Sequence, residues 1–381
     1  IETPISLFIK NYNKPFIGIT GTKGKSYTTA LVSHLLSALG IENIAAGNNC
    51  ISPLDYIEED LEFVLELSSW QLFDMGIQKV SPAIACWLNF FPDHMNYYSS
   101  VNEYFNDKSQ ILVNQIESDF CIVPYGYTNI KTIAKCTNKT FYSRSDLSFV
   151  SLRRNESACY IQSDMIFYKD NNICEEIGNI IDLKSIYAEH QLELVLASVC
   201  ITITYLRRNN FTLNNDILAI ILEGIKAFKG LEHRFETIYN SGKLLVINDS
   251  AASTPESTIK AIESIGNELI LITGGGGHKN LDYSQLAKKI LQMDIQTILF
   301  ANDEPSEILI KLFNQYKYTN YTIVRDLKMA VKIAYDMTVE DSEKTIILFS
   351  PACSGYPMYT DMFVRGIMFK QAVIHQFEKN N

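Results

Sequence analysis

A short β-rich apolar run, Phe16-Ile17-Gly18-Ile19-Thr20, leads into Gly21-Thr22-Lys23-Gly24-Lys25-Ser26 and then into a helical pattern from Ser26 to Leu39. Ala30, Leu31, His34, Leu35 and Ala38 share one face of that helix, and Gly40 ends it. Strand, glycine loop and helix in immediate succession open an α/β nucleotide domain, which leaves few alternatives for the fold. The loop exposes backbone N–H groups and the helix start adds partial positive charge, so phosphate binds there. Lys25 would reach the terminal phosphates and the Ser26 hydroxyl would hold Mg²⁺, with Gly21, Thr22, Lys23 and Gly24 supplying the cradle. The spacing departs from the common form, because Gly21 stands two positions before Lys23 and no glycine occupies the usual first position. A loop that merely caps a helix is the bland alternative. The strand before it and the helix after it argue for phosphate.

The α/β character continues. Phe63 to Leu67 and Ala83 to Leu88 read as further strands covered on both faces, and Val101 to Val113 reads as a helix. From about Phe120 to Asp182 the texture changes to short runs between Asn, Asp and Ser turns, such as Phe149 to Leu152 and Ala158 to Ile161. That pattern predicts antiparallel hairpins inserted in the first domain. His190 to Tyr205 reads as a strongly apolar helix. A boundary falls near Phe228-Lys229-Gly230, giving domains 1–228 and 229–381. Beyond it Leu244–Ile247, Leu269–Ile272, Thr297–Phe300, Thr322–Val324 and Thr345–Phe349 alternate with helical patterns such as Tyr283–Gln292 and Leu327–Met337. The second domain is therefore a doubly wound, Rossmann-like α/β unit.

Composition narrows the function classes. The formal charge of −10 argues against a general nucleic-acid binder. No apolar run is long enough to span a bilayer, and no secretory signal is present. The 8 cysteines are scattered without a Cys-x-x-Cys pair, which reads as reduced thiols in a cytoplasm rather than disulfides or a zinc site.

Three residues gain meaning together. Glu66 ends an apolar strand, where a carboxylate in an open α/β sheet meets its ligand and could hold Mg²⁺. Asp93-His94 follows the next strand, and Lys108 sits on the helix after that. Taken singly, each reads more readily as a solvated acid, a structural histidine and a solvated lysine.

The ordered set resembles the Mur ligase family. The resemblance rests on Ile19 to Ser26, Glu66-Leu67-Ser68-Ser69-Trp70-Gln71-Leu72, Leu88-Asn89 through Asp93-His94, Lys108, and Glu189-His190. It continues through Gly230 to Glu236, Asn248-Asp249-Ser250, Gly274 to Lys279, Ser350-Pro351-Ala352-Cys353, and Phe363 to Phe369 with Arg365-Gly366. The resemblance implies a central ATP-binding domain and a C-terminal ligase domain with the active site between them. It implies an ATP-dependent amide ligase that adds glutamate to UDP-N-acetylmuramoyl-L-alanine through an acyl phosphate, in peptidoglycan precursor synthesis. By resemblance Lys25 and Ser26 bind phosphates and a first Mg²⁺ with Glu66 beside it. His94 and a carbamylated Lys108 serve a second Mg²⁺. Gln191 stands where the family usually has Asn against adenine, and Arg234 and Asp249 contact the nucleotide. Asn48, Ser69 and Gln71 fall at the substrate end, with Lys279 and Ser354 toward the incoming amino acid. The implied partners are small molecules only, and the implied form is a cytoplasmic monomer.

The match departs in places that concern the substrate. The family carries a uridine-binding domain ahead of the phosphate loop. It either precedes Ile1 in a longer chain or is missing from the protein. Ala251 stands where D-glutamate-specific members often carry Lys, and Gly355 stands where a serine usually holds glutamate. D- and L-glutamate both stay open, as does a two-domain folylpolyglutamate-synthase-like ligase. A catalytically weak nucleotide-binding partner is disfavoured by the presence of Lys108 and His94.

Overall fold

Ile17–Thr20 forms β1 and is buried along its whole length, as a strand without polar alternation must be. In the computed structural model the other strands of its sheet are, in chain order, β2 (Asn43–Gly47), β3 (Glu62–Glu66), β4 (Ile84–Trp87), β5 (Phe120–Pro124), β6 (Asn138–Ser143), β7 (Glu156–Gln162), β8 (Met165–Lys169) and β9 (Cys174–Asn179). They form a nine-stranded sheet in the order β2-β3-β1-β4-β5-β6-β7-β8-β9. The helices around it are α1 (Pro4–Asn11), α2 (Lys25–Ala38), α3 (Ser69–Gln78), α4 (Val101–Val113), α5 (Ile180–Lys184), α6 (Glu189–Arg208) and α7 (Asn215–Ala227). The structure describes residues 2–378 except 50, 96, 128–129, 131–132, 134, 137, 149–151, 171–172, 185–188, 267–268, 278–280 and 340–344. The chain divides into two compact units, Ile1–Phe228 and Lys229–Asn381.

Alternation along the strands builds two cores. Ile17, Ile19 and Val64 face one way, onto Leu31 and Leu35 of α2, Val195 and Val199 of α6 and Ile221 of α7. Phe63 and Leu65 face the other way, with Phe8 of α1, Leu72 and Met75 of α3 and Ile111 and Leu112 of α4. Each of these buried apolar side chains stabilises the fold by roughly 1.5–3 kcal/mol. Helix starts are fixed locally. Ser68 and Gln71 form a capping box at α3, and the Ser100 hydroxyl accepts from the Glu103 N–H at α4.

The region expected to hold inserted antiparallel hairpins differs in part. β5, β6 and β7 continue the parallel sheet from β4, and only β7-β8-β9 run antiparallel. The polar turns mark a meander at the sheet's edge, while Cys121, Ile122, Val123 and Phe141 are buried like strands of a parallel sheet. Of the expected run Phe149–Leu152, residues 149–151 lie outside the described residues.

The second unit holds β10 (Glu236–Asn240), β11 (Leu244–Asn248), α8 (Pro255–Ile265), β12 (Leu269–Thr273), α9 (Ser284–Gln292), β13 (Gln296–Phe300), α10 (Glu304–Gln315), β14 (Tyr321–Val324), α11 (Leu327–Val339), β15 (Thr345–Phe349) and α12 (Met362–Glu378). Its sheet runs β10-β11-β15-β12-β13-β14, parallel throughout except for the antiparallel edge pair β10–β11. Among the described residues, no helix is long and apolar enough to cross a membrane.

Gly47 ends β2 at φ +106°, and a Cβ there would lie 2.3 Å from the Glu66 carbonyl oxygen. Gly47→Ala is therefore expected to lower stability by about 2–3 kcal/mol, through a disfavoured backbone and a clash with a buried strand. Urea unfolding of the variant checks this. A midpoint equal to the wild type would contradict the packing of Gly47 on Glu66.

Candidate active site

Strand register gathers the candidate residues of the first unit. Ile19 pairs with Glu66, Thr20 with Trp87, and Gly47 with Glu66. The C-terminal ends of β2, β3, β1 and β4 therefore finish along one edge of the sheet. The chain leaves β1 through α2 toward β2 on one side, and leaves β3 through α3 to reach β4 on the other. This divergence is a topological switch point, where open α/β sheets bind ligands.

The phosphate loop spans the gap from β1 to α2. Gly24 takes φ +87° at the N-cap and brings no side chain of its own to cap the helix. A helix start of this kind, behind a glycine N-cap, suits an anion. A Cβ on Gly24 would come within 2.6 Å of Leu194 on α6, so the close approach and the left-handed backbone both demand glycine. Lys25 Nζ donates to the carbonyls of Gly21 (3.0 Å) and Thr22 (3.2 Å). Lys23 Nζ lies 3.4 Å from an Asp93 carboxylate oxygen.

Lys108 is only 2% exposed and points at the same loop. Its Nζ donates to the Gly21 carbonyl at 3.0 Å and to Thr20 Oγ1 at 3.4 Å, and lies 4.9 Å from the Tyr104 ring centroid. Two lysine amines therefore meet on one carbonyl oxygen. Burial first, and the Lys25 charge second, push the Lys108 amine down to about 7 from the ordinary 10.5, against an upward pull from Asp93.

Glu66 is also 2% exposed. Asn48 Nδ2 donates to its Oε1 at 2.9 Å, while its Oε2 is buried with no hydrogen-bond partner among the described residues. Such an oxygen costs free energy unless something pairs it. A hard divalent cation fits that need, because carboxylate and hydroxyl oxygens are its preferred donors. Among the described residues no three His, Cys, Asp or Glu side chains gather to hold a metal ion. A cation here would draw on Ser26 and Glu66 and on oxygens from outside the protein. His94 sits at φ +57° with its ring 4.8 Å from that of Trp70, and its backbone N–H donates to Asp93 Oδ1 at 2.9 Å.

The remaining candidates of this unit flank the edge. Ser69 is buried at the start of α3. Gln71 Oε1 accepts from the Ser68 N–H and hydroxyl, both at 2.9 Å, so its carbonyl end serves the capping box. Gln191 is half-buried near the start of α6.

In the second unit a separate cluster forms where β11, β12 and β15 end. Asp249 Oδ1 accepts from the Phe235 N–H at 3.1 Å, and Oδ2 from the Ser350 hydroxyl at 2.9 Å. Burial pushes its carboxyl up to about 6, against these two donors and the charge of Arg234. Arg234 is exposed beside buried His233, whose Nδ1 lies 2.8 Å from Asn248 Nδ2. The Ser354 hydroxyl donates to the Gly277 carbonyl at 2.6 Å. Lys279 lies outside the described residues.

Arg365, which the sequence offered only as part of a signature, proves to be the organiser of this cluster. It is fully buried, and its guanidinium donates to the Ser250 hydroxyl and carbonyl, and to the carbonyls of Gly275, Cys353 and Ser354. One side chain thus ties the loops after three strands. An arginine inside an otherwise apolar helical pattern was the available signal.

Two family models match the chain: the Mur ligase middle domain over residues 19–201 and the Mur ligase, glutamate ligase domain over residues 233–353. The UDP-N-acetylmuramoylalanine--D-glutamate ligase of Clostridioides difficile (strain 630) is 32% identical over 375 residues, covering 97% of this chain and 77% of that protein. Its counterpart from Borreliella afzelii (strain PKo) is 30% identical, covering 98% and 78%. Among solved structures, a MurF ligase from Thermotoga maritima in complex with ADP superposes with a TM-score of 0.60 at 15% identity, covering 99% of this chain and 83% of that one. A Mycobacterium tuberculosis folylpolyglutamate synthase superposes at 0.62 and 13% identity, covering 97% and 94%. At these identities the structures share the fold.

The lowered Lys108 amine has a pH signature. Above pH 10.5 the group is neutral in both folded and unfolded chains and carries no penalty. As pH falls from about 10.5 toward 7, the unfolded chain takes up a proton that the folded chain resists, and stability is lost. Lys108→Met is expected to flatten this limb, so the variant gains melting temperature over the wild type at pH 7–8 and not at pH 10.5. Parallel melting curves in CO₂-free buffer check it, and an offset that does not change with pH would contradict it.

Proposed function

The chain belongs to the Mur ligase family, and on that footing we propose that it joins a carboxylate of UDP-N-acetylmuramoyl-L-alanine to the amino group of glutamate. It is an ATP-dependent, ADP-forming ligase. The observation that carries the reading is the buried Glu66 oxygen, without a partner among the described residues, at the strand ends that also bear the Lys25–Lys108 loop. In the first step a carboxylate oxygen of the substrate attacks the γ-phosphorus. The bond to the β,γ-bridging oxygen breaks, and ADP leaves. In the second step the amine nitrogen attacks the acyl carbon, the carbon–oxygen bond to phosphate breaks, and the nitrogen gives up a proton. Such chemistry asks the protein for charge neutralisation and positioning.

The backbone of Gly21, Thr22, Lys23 and Gly24 with Lys25 and Ser26 holds the phosphates. Ser26 and Glu66 would hold Mg²⁺, which would neutralise charge on the phosphate oxygens. A neutral Lys108 amine is the form that adds CO₂: its nitrogen bonds the carbon and releases a proton. The resulting carbamate would offer anionic oxygen to a second ion, to which His94 is also assigned. Gln191, Arg234 and Asp249 are assigned to the nucleotide. Asn48, Ser69 and Gln71 are assigned to the muramoyl substrate, and Lys279 and Ser354 to the amino acid. Arg365 keeps the loop of Ser354 in place. The same reading makes the protein a cytoplasmic monomer serving cell-wall synthesis, and through it cell shape and division.

The direct test is ADP release with UDP-N-acetylmuramoyl-L-alanine and D- or L-glutamate in separate reactions. Release that depends on both substrates is expected, and the isomer that supports it identifies the acceptor. Lys25→Ala should abolish turnover. Lys108→Ala should lose at least about a hundredfold, recovered in part by short carboxylates that replace the carbamate. ADP release with a folate-type carboxylate, and none with the muramoyl substrate, would overturn the substrate assignment. A fully active Lys108→Ala would overturn the second-metal assignment.

A further inference from the structure

The segment Leu88–Phe91 carries an asparagine to which no role has been given. β1 and β4 pair in parallel up to Thr20 and Trp87, and Leu88 N–H donates to the Thr20 carbonyl at 2.8 Å. Beyond that point both chains have left the strand, yet they stay paired. Asn89 Oδ1 accepts from the Lys23 N–H at 2.9 Å, and Asn89 Nδ2 donates to the Lys23 carbonyl at 3.0 Å. Its backbone carbonyl accepts from the Thr22 N–H and from Trp87 Nε1, each at 3.1 Å. Thr22 repeats the device from the other side: its hydroxyl donates to the Phe91 carbonyl and accepts from the Phe91 N–H, both at 3.0 Å. Two side chains thus act as surrogate peptide groups and extend the β1–β4 ladder past its end.

An amide is the side chain this arrangement needs, since it offers one donor and one acceptor in a plane, as a peptide does. The pair fixes the Lys23 peptide, next to Gly24 and the start of α2. It also joins the phosphate loop to the stretch that leads to Asp93 and His94. Gly21 completes the seam, because a Cβ there would meet Leu88 Cβ at 3.0 Å and the Asn89 nitrogen at 3.3 Å.

We propose that Asn89 is a positioning residue for the ligase reaction: its side-chain amide sets the conformation of the phosphate loop and couples that loop to the His94 segment. This rests on the nucleotide reading of Gly21–Ser26. Asn89 touches no reacting atom; it acts through the peptide of Lys23.

The test uses the full chain and ADP with Mg²⁺ as the probe, with affinity measured by titration calorimetry on wild type, Asn89→Ala and Asn89→Asp. At pH 8 both variants are expected to bind at least about tenfold more weakly than wild type. Asn89→Asp adds a pH arm. A carboxylate accepts but cannot donate to the Lys23 carbonyl, whereas a protonated carboxyl restores the donor and acceptor of the amide. Its affinity relative to wild type should therefore recover as pH falls from 8 through the ordinary aspartate range, about 4. A side chain with a merely structural role would change melting temperature without this recovery. Equal affinity of wild type and both variants, or a loss in Asn89→Asp that does not vary with pH, would overturn the role of Asn89. Failure of the wild type itself to bind ADP would instead overturn the nucleotide reading on which it rests.

Discussion

The Gly21 carbonyl oxygen accepts from Lys25 and from Lys108, each at 3.0 Å, and much of the site follows from that meeting. Two full cations this close, one of them buried, repel each other and lack water to screen them. The arrangement is relieved when one amine is neutral, and Lys108, the more buried, is the one held down to about 7. A polyanion on the loop relieves it as well, by engaging Lys25. The same few ångströms therefore favour either an anion on the loop or an uncharged Lys108. Tyr104, whose hydroxyl lies 3.3 Å from Thr22 Oγ1 and whose ring lies beneath the Lys108 amine, holds the pair in place.

Sheet order makes the meeting possible. With β1 between β3 and β4, its C-terminal end lies between theirs, so Glu66, the phosphate loop and the Leu88–His94 segment must lie side by side. Gly47, whose missing side chain leaves room for the Glu66 backbone, brings Asn48 onto the Glu66 carboxylate. The second unit solves a similar problem differently. Its strand-end loops come from β11, β12 and β15, and a buried guanidinium satisfies their carbonyls where no regular structure could.

What the residues disclose in advance follows the strength of their physics. Val101–Val113 and Thr345–Phe349 were legible to the residue, because period and burial agree there. β2 was not, since Asn43–Gly47 is short, half-buried and ends in a glycine chosen for contact rather than propensity. β5 and β6 look like hairpin strands in sequence because their flanking turns are polar, while pairing partners far along the chain decide their direction. In the site, Gly21–Ser26 and Glu66 could be found from position relative to a strand. Lys108 could not be told from a solvated lysine without its neighbours, because burial on a helix is a tertiary property. Arg365 and Asn89 were visible as letters in motifs, but their roles live in hydrogen bonds to backbone groups that no spacing reveals.

In the proposed reaction the substrate carboxylate, and not water, takes the γ-phosphoryl group. That transfer is tested most directly by turnover of a substrate whose reacting carboxylate carries ¹⁸O in both oxygens, with mass analysis of the phosphate released. An acyl phosphate passes one carboxylate oxygen to phosphorus before the amine displaces it, so one ¹⁸O is expected in each inorganic phosphate and one in the amide. Unlabelled phosphate formed in step with the amide product would contradict it.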